Sequence, residues 1–399
     1  MIARRVRSLL GADAVVATDV PGPPLVAPAR EEALALLLRT ATAEGWRVRV
    51  GGGGTWMPAD APCDVAITTR GLSAFRYVNA ADLVATAEAG VTWEALRQHL
   101  AEHGAWIGAD PPGGDRTLGS VVGTGTSGPL RAGFGGIRDH LLGITLVTGD
   151  GRVIHAGGRV VKNVAGFELT KLATGSFGAF GVVTAVHLRL RAVPRADVTL
   201  VADGPRDALL QRANAVLERG VTPAALELLA PAALDRDDAW RLAVRLIGAE
   251  PAVHAQRDAV SGAVGTRLEP LAPGEAAAWW RGVLARAAVP PTTLRLGALP
   301  GELDDALDLV AHHLPESWLS VTVPAGTVRW SGTAPADRIR LLRHAAAQRE
   351  MPMTLERAPW DVRAACSHFG AYREGVSRLV SRLRTAFDPA GVLVAPIGD

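Results

Sequence analysis

Four glycines in succession, Gly51 to Gly54, followed by Thr55, lie directly after the alternating stretch RVRV. Glycine loses more conformational freedom on folding than any other residue, so a run of four implies that bare backbone is needed for close approach. Successive backbone N–H groups lining a concavity suit an anion, and Thr55 adds a hydroxyl donor. Two commoner glycine loops do not fit. A Rossmann-type loop needs glycines that open a helix, whereas Pro58 and Pro62 follow here and Val65 to Thr69 reads as a strand. A phosphate loop of the Gly-Lys-Ser/Thr kind needs a lysine, and the run has none. On the residues alone, the run is either an anion nest or a surface turn.

Two further segments share this character. From Pro111 the chain reads PPGGDRTLGSVVGTGTSGP, and between Thr117 and Gly128 nearly every side chain is small or hydroxylated. A flat, polar, bulky cofactor could lie against such a backbone, and a plain loop of that length is unusual inside a compact domain. The segment KNVAGFELTKLATGSFGAFGVVT places Gly175, Ser176, Gly178 and Gly181 just before another strand.

These loops need strands to hold them. Pro28 precedes a helix predicted over Ala29 to Glu44, with Leu34, Leu37, Leu38 and Ala41 at helical spacing and Gly45 as its stop. Trp46 to Val50 reads as a strand. RYVNAADLVATAEAG reads as two strands about Asp82, and VTWEALRQHLAEHG as a helix with Thr92 as N-cap. Asp150-Gly151 marks a hairpin. After Pro194 the pattern changes to strands and helices that recur to about Pro359, with SWLSVTVPAGTVRWSG as a hairpin. An amphipathic helix and a short end segment close the chain.

The 399 residues suit two or three domains. A net charge of +2 without a basic block gives no reason to expect a nucleic-acid partner. Cys63 and Cys366 have no ligand spacing and fit a reducing, intracellular setting. No apolar run reaches the ~18 residues of a transmembrane segment. The opening MIARRVRSLLGADAVVA is expected to be a surface helix rather than a signal peptide.

In this order GGGGT, TLGS with TSGPLR, IRDHLLGITLVTGDGRVI and KNVAGFELTKLATGSFGAFGVVT resemble the vanillyl-alcohol-oxidase-type (PCMH-type) FAD-binding superfamily. VKNVAGFELTKL, the VRW at Val328 to Trp330 and LERAPWDVRAA resemble, within it, the smaller FAD-binding subunits of glycolate oxidase (GlcE type). The resemblance implies an α+β chain: a PCMH-type FAD-binding domain of two α/β subdomains over 1–195, a smaller α+β cap domain over 196–365, and a C-terminal helix and tail over 366–399 returning to the FAD domain. It implies that Gly51, Gly52, Gly53, Gly54 and Thr55 hold the FAD pyrophosphate. Thr117, Leu118, Gly119 and Ser120 would pass along the cofactor, Thr124, Ser127 and Gly128 would border the flavin, and Gly175, Ser176, Gly178, Gly181 and Val183 would finish the adenine–ribose side. Thr55 stands where the family's covalent histidine would be, so FAD is expected to be noncovalent.

For a 2-hydroxy acid, catalysis asks for a base, a cation for the carboxylate and the flavin as acceptor. Candidates are Arg329 with Trp330, then His368, Arg357 and Arg138-Asp139, the last equally readable as a structural ion pair. His312-His313 are adjacent on a helix and do not face one direction. No metal site is expected. The resemblance implies an FAD-dependent oxidoreductase subunit working beside a larger FAD-linked catalytic subunit and an iron–sulfur subunit, on a small 2-hydroxy acid. A free-standing FAD-dependent hydroxy-acid or sugar dehydrogenase and a non-catalytic assembly subunit are the alternatives. The expected location is cytoplasmic, or peripheral to the inner face of the membrane through partners. The chain itself lacks the cysteines for a cluster.

Overall fold

A computed structural model describes residues 1–19, 21–56, 58, 60–159, 168–234, 239–264, 268–370, 372 and 375–395. The start of the KNVAGF segment and Pro396 lie outside the described residues. A first sheet has the strand order Val15–Val16, Leu25–Val26, Val65–Thr68, Val48–Gly51, and its last three strands run parallel. Parallel strands need a crossover, and the helix Glu31–Glu44 supplies it. Its Leu34, Leu37, Leu38 and Ala41 are buried against the sheet, and Gly45 ends it in the left-handed conformation. The glycine run therefore begins at the C-terminal end of a parallel strand.

A second, antiparallel sheet has the order Phe75–Asn79, Val84–Glu88, Val182–Arg189, Leu141–Val147, Val153–Gly157. The helix Trp93–Glu102 covers it through Trp93, Leu96 and Leu100, and the Thr92 hydroxyl caps that helix by accepting from Ala95 N at 3.2 Å. The small-residue stretch after Arg116 is not a loop throughout. Leu118–Thr124 is helical, capped by the Thr117 hydroxyl, which accepts from Ser120 N at 3.3 Å. Three glycines and β-branched residues in or beside it weaken helix propensity, but Leu118, Val121 and Val122 are fully buried in the core, and that tertiary burial outweighs propensity.

From Ala196 onward the strands join one antiparallel sheet in the order Glu269–Pro270, Ala196–Gly204, Trp240–Gly248, Ala225–Leu229, Trp318–Thr322, Thr327–Gly332, Thr292–Gly297, Met353–Arg357. On one face Leu228, Leu246, Leu294 and Trp330 pack with the helices Arg206–Glu218, Glu250–Val264, Leu303–His313 and Ala336–Ala347. The other face carries Glu227, Arg329 and Glu356, all buried. The helix Pro273–Ala287 covers part of that face through Trp280 against Val201, Ala225 and Ala243. Gly133 N donates to Ala224 O at 3.1 Å, which ties the first half of the chain to the start of the interior strand Ala225–Leu229. No helix among the described residues is long and apolar enough to cross a membrane.

The chain's end returns to its beginning. After the helix Val376–Phe387, Asp388 accepts from Val392 N at 3.0 Å and Leu393 N at 2.9 Å. This turn lets Leu393 bridge Val48 in parallel, beside the strand that leads into the glycines. Asp388 is 4% exposed, so removing its carboxylate leaves two donors without their acceptor. Asp388→Ala is expected to lower unfolding free energy by about 1–3 kcal/mol in urea titration; a change within error would mean that the tail is held by packing alone.

Candidate functional site

The glycine run, the helix Leu118–Thr124 and the turn around Ser176 to Gly181 enclose a cavity of about 830 Å³, the size of a cofactor site. Gly51 to Thr55, Gly119, Ser120, Thr124, Ser176, Gly178, Gly181 and Val183 line it. The other expected positions stand behind this wall. Thr117 caps the helix and Leu118 is in the core. Ser127 Oγ accepts from Ile137 N at 3.3 Å, and Gly175 lies against Gly125. A Cβ on Gly128 would overlap the Asp110 carbonyl.

The run keeps one side clear. A Cβ on Gly52 would overlap the Thr117 hydroxyl, and one on Gly53 would sit 2.5 Å from Arg70 Nη2, while Gly54 at φ +72° faces open space. Thr68 Oγ1 donates to Gly52 O at 2.7 Å, which occupies a carbonyl that would otherwise repel an anion. Arg70, Arg363 and Arg384 also line the cavity. Arg363 is partly neutralised by its ion pair with Asp60. Backbone donors with flanking guanidinium groups suit a diphosphate.

Behind Thr124 stands Arg116, which the sequence reading passed over. Its Nη2 donates to Thr124 Oγ1 at 2.7 Å, and its guanidinium lies 4.1 Å over the ring of Trp56, itself part of the cavity wall. Burial pushes the Arg116 pKa down to about 9, with Arg329 and Arg357 lowering it and Glu356 opposing them, so it stays cationic at neutral pH. Arg357 approaches the same indole at 5.6 Å and donates to Ala288 O.

Arg329 and Trp330 do not form one site. Successive strand residues face opposite sides. Trp330 points into the helix-covered core and donates to Pro315 O at 3.1 Å, whereas Arg329 points toward the first half of the chain. There Arg329 Nε donates to Glu356 Oε2 at 3.1 Å, and Arg295 Nε lies 3.3 Å from Glu356 Oε1. Burial raises the Glu356 pKa, but Arg329 and Arg295 outweigh it and hold the carboxyl below its ordinary value. Nearby, burial pushes Asp110 up to about 7 and Glu227 up to about 8.

His368 is 1% exposed and lines the cavity beside Phe177, ring centroids 4.7 Å apart. Its Nδ1 lies 2.6 Å from Leu355 O. A carbonyl only accepts, so Nδ1 carries the proton and Nε2 keeps its lone pair. That Nε2 is buried and has no partner among the described residues, as has Trp56 Nε1. Burial, then Arg363 and Arg343, lower the His368 pKa to about 4 against help from Leu355 O, so the ring is neutral at pH 7. Asp139 accepts from Gly136 N at 2.8 Å, a turn contact, and Arg138 is exposed. His312 and His313 stack edge to face at 4.8 Å on a helix away from the cavity.

A cavity with a backbone anion cradle at one wall and unpartnered buried nitrogens at others fits an elongated dinucleotide, and the comparisons agree. Residues 23–157, which hold the glycine run and the helix Leu118–Thr124, match the FAD binding domain family. FAD is the cofactor of this chain. The glycolate oxidase subunit GlcE of Escherichia coli K12 is 34% identical over 184 residues, which are 45% of this chain and 50% of that one. A D-lactate dehydrogenase of Archaeoglobus fulgidus is 30% identical over 216 residues, 53% of this chain and 48% of that one. The chain thus spans about half the length of these curated relatives. The solved structure of 4-ethylphenol oxidase from Gulosibacter chungangensis, in complex with isoeugenol, has the same fold at TM-score 0.74 and 16% identity, covering 98% of this chain and 95% of that one.

Gly53→Val is expected to displace Arg70 and crowd the cradle, weakening FAD retention at least about tenfold, or about 1.4 kcal/mol, with far-UV circular dichroism unchanged. Flavin retention equal to wild type would move the diphosphate elsewhere. The His368 pKa gives a pH signature. As pH falls below the ordinary histidine value of ~6.5, the unfolded chain takes up a proton that the folded one refuses until near pH 4. Stability is then lost across that window, by on the order of 3 kcal/mol at its acid end, and His368→Gln should flatten the loss. Parallel pH slopes in urea titrations of the two proteins would show that His368 titrates normally.

Proposed function

We propose that the chain is the FAD-binding subunit of a glycolate-oxidase-type 2-hydroxy-acid dehydrogenase complex, passing electrons through noncovalent FAD. It works beside a larger FAD-linked catalytic subunit and an iron–sulfur subunit. In this reading residues 1–195 hold the cofactor, 196–365 cap it, and 366–399 return to close the cavity. The hydroxy-acid class is supported by the relatives named as glycolate oxidase subunits and D-lactate dehydrogenases.

The observation that carries the subunit role is the state of the catalytic candidates. The cation suited to a substrate carboxylate, Arg329, is already bound to the internal carboxylate Glu356. The histidine at the cavity, His368, keeps a free Nε2 lone pair, but burial lowers its pKa to about 4 and leaves it a weak base. A cavity whose histidine is so weakly basic, and whose candidate substrate arginine is tied to an internal carboxylate, suits electron transfer better than substrate oxidation. FAD supplies the redox chemistry when bound. The chain's residues hold it: the glycine backbone and Arg70 at the diphosphate, Trp56 and Thr124 along the wall, and His368 Nε2 as an acceptor for a cofactor N–H or O–H. Noncovalent attachment is supported by Thr55 at the glycine run and by the absence of cysteine among the described lining residues.

The test is the visible spectrum of the purified chain, before and after anaerobic glycolate, followed by acid precipitation. Flavin bands should persist with glycolate, and all flavin should leave with the acid supernatant. Bleaching would establish a free-standing dehydrogenase. A chain that takes up no FAD on reconstitution would be a non-catalytic assembly subunit.

A further inference from the structure

We propose that His99, Glu102 and His103 form a divalent transition-metal site on the outer face of the helix Trp93–Glu102, apart from the cofactor cavity. The spacing i, i+3, i+4 brings all three side chains to one face of the helix end. One donor atom from each lies within 4.8 Å of the others. Donors sharing a metal at ~2.0–2.1 Å stand roughly 3.3 Å apart in tetrahedral geometry, and the exposed Glu102 side chain turns toward the two imidazoles to close that gap.

Two contacts prepare the imidazoles. His99 stacks on Phe75 with centroids 3.9 Å apart and planes at 21°, which fixes its ring at the surface. His103 Nδ1 stands 2.8 Å from His99 O; the carbonyl can only accept, so Nδ1 holds the proton and Nε2 offers its lone pair. Orientation of a ligand through its other nitrogen is the usual support of a metal-bound histidine. Glu102 Oε2 lies 3.6 Å from His99 Nδ1. The neighbouring cation Arg97 is engaged by Glu94 at 2.8 Å and does not compete for Glu102. Two imidazoles and one carboxylate select Zn²⁺, Ni²⁺ or Cu²⁺ over Mg²⁺ and Ca²⁺, with water completing the coordination.

The test is calorimetric titration of the FAD-loaded, tag-free protein with ZnCl₂, repeated with CoCl₂ while the cobalt visible bands are recorded. Wild type should bind one equivalent, and His103→Ala, an exposed helix-end change, should weaken it at least tenfold. Glu102→Gln should weaken it too, whereas a His312→Ala, His313→Ala double variant should bind as wild type. Wild type without saturable binding, or His103→Ala binding as tightly as wild type, would overturn the proposal. So would loss of binding in the His312, His313 variant, which would place the ion at that pair.

Discussion

The Arg116 guanidinium, 1% exposed, reaches Thr124 Oγ1 at 2.7 Å and Thr126 Oγ1 and Ser120 O at 3.4 Å, while its plane covers the Trp56 indole. A buried cation is tolerated only when its donors and its charge are met. Here Nη2 is met by the helix Leu118–Thr124 and Thr126, and Nη1 reaches Pro112 O at 3.4 Å, while Nε has no partner among the described residues. The charge is met across the interface by Glu356, the strongest stabilising influence on Arg116. One side chain thus fixes the wall after the glycine run, the helix that faces it, and the approach of the large sheet. Lysine could satisfy the charge but not the flat stacking or the divergent hydrogen bonds.

The glycine loops were legible in the sequence because their constraint is local. A Cβ that would overlap Thr117, or a left-handed φ at Gly54, leaves glycine as the residue that fits. The crossover helix and the Asp150-Gly151 hairpin were legible for the same reason. Arg116 was not read, although it is the last charge before fourteen uncharged residues, Thr117 to Leu130. That isolation was a usable signal. The helix Leu118–Thr124 also left a trace, a threonine cap followed by Leu118, Val121 and Val122 at helical spacing, but glycine and threonine content concealed it.

What the sequence could not supply was partnership at a distance. Arg329 was visible as a carboxylate-binding group, and the carboxylate it binds lies 27 residues on, at Glu356, on a strand separated from it in the sheet by Thr292–Gly297. The same holds for His368, whose tautomer is fixed by the carbonyl of Leu355. Residue type announces what a group can do; only the fold decides whether that capacity is already used.

That distinction bears on why a buried face of the large sheet is charged at all. Glu356 with Arg329 and Arg295 gains little net stability over an apolar packing of equal volume, because desolvation offsets most of the attraction. Breaking the set is another matter, since any one loss strands a buried charge. All three groups stand on neighbouring strands of the one large sheet, so the set fixes the alignment of Thr327–Gly332, Thr292–Gly297 and Met353–Arg357 in a medium that screens ions poorly. The ion set is therefore better understood as a device that orders the charged face of the large sheet, where Glu356 also acts on Arg116, than as a reserve of stability, and it explains why an arginine suited to a substrate was given over to the protein itself.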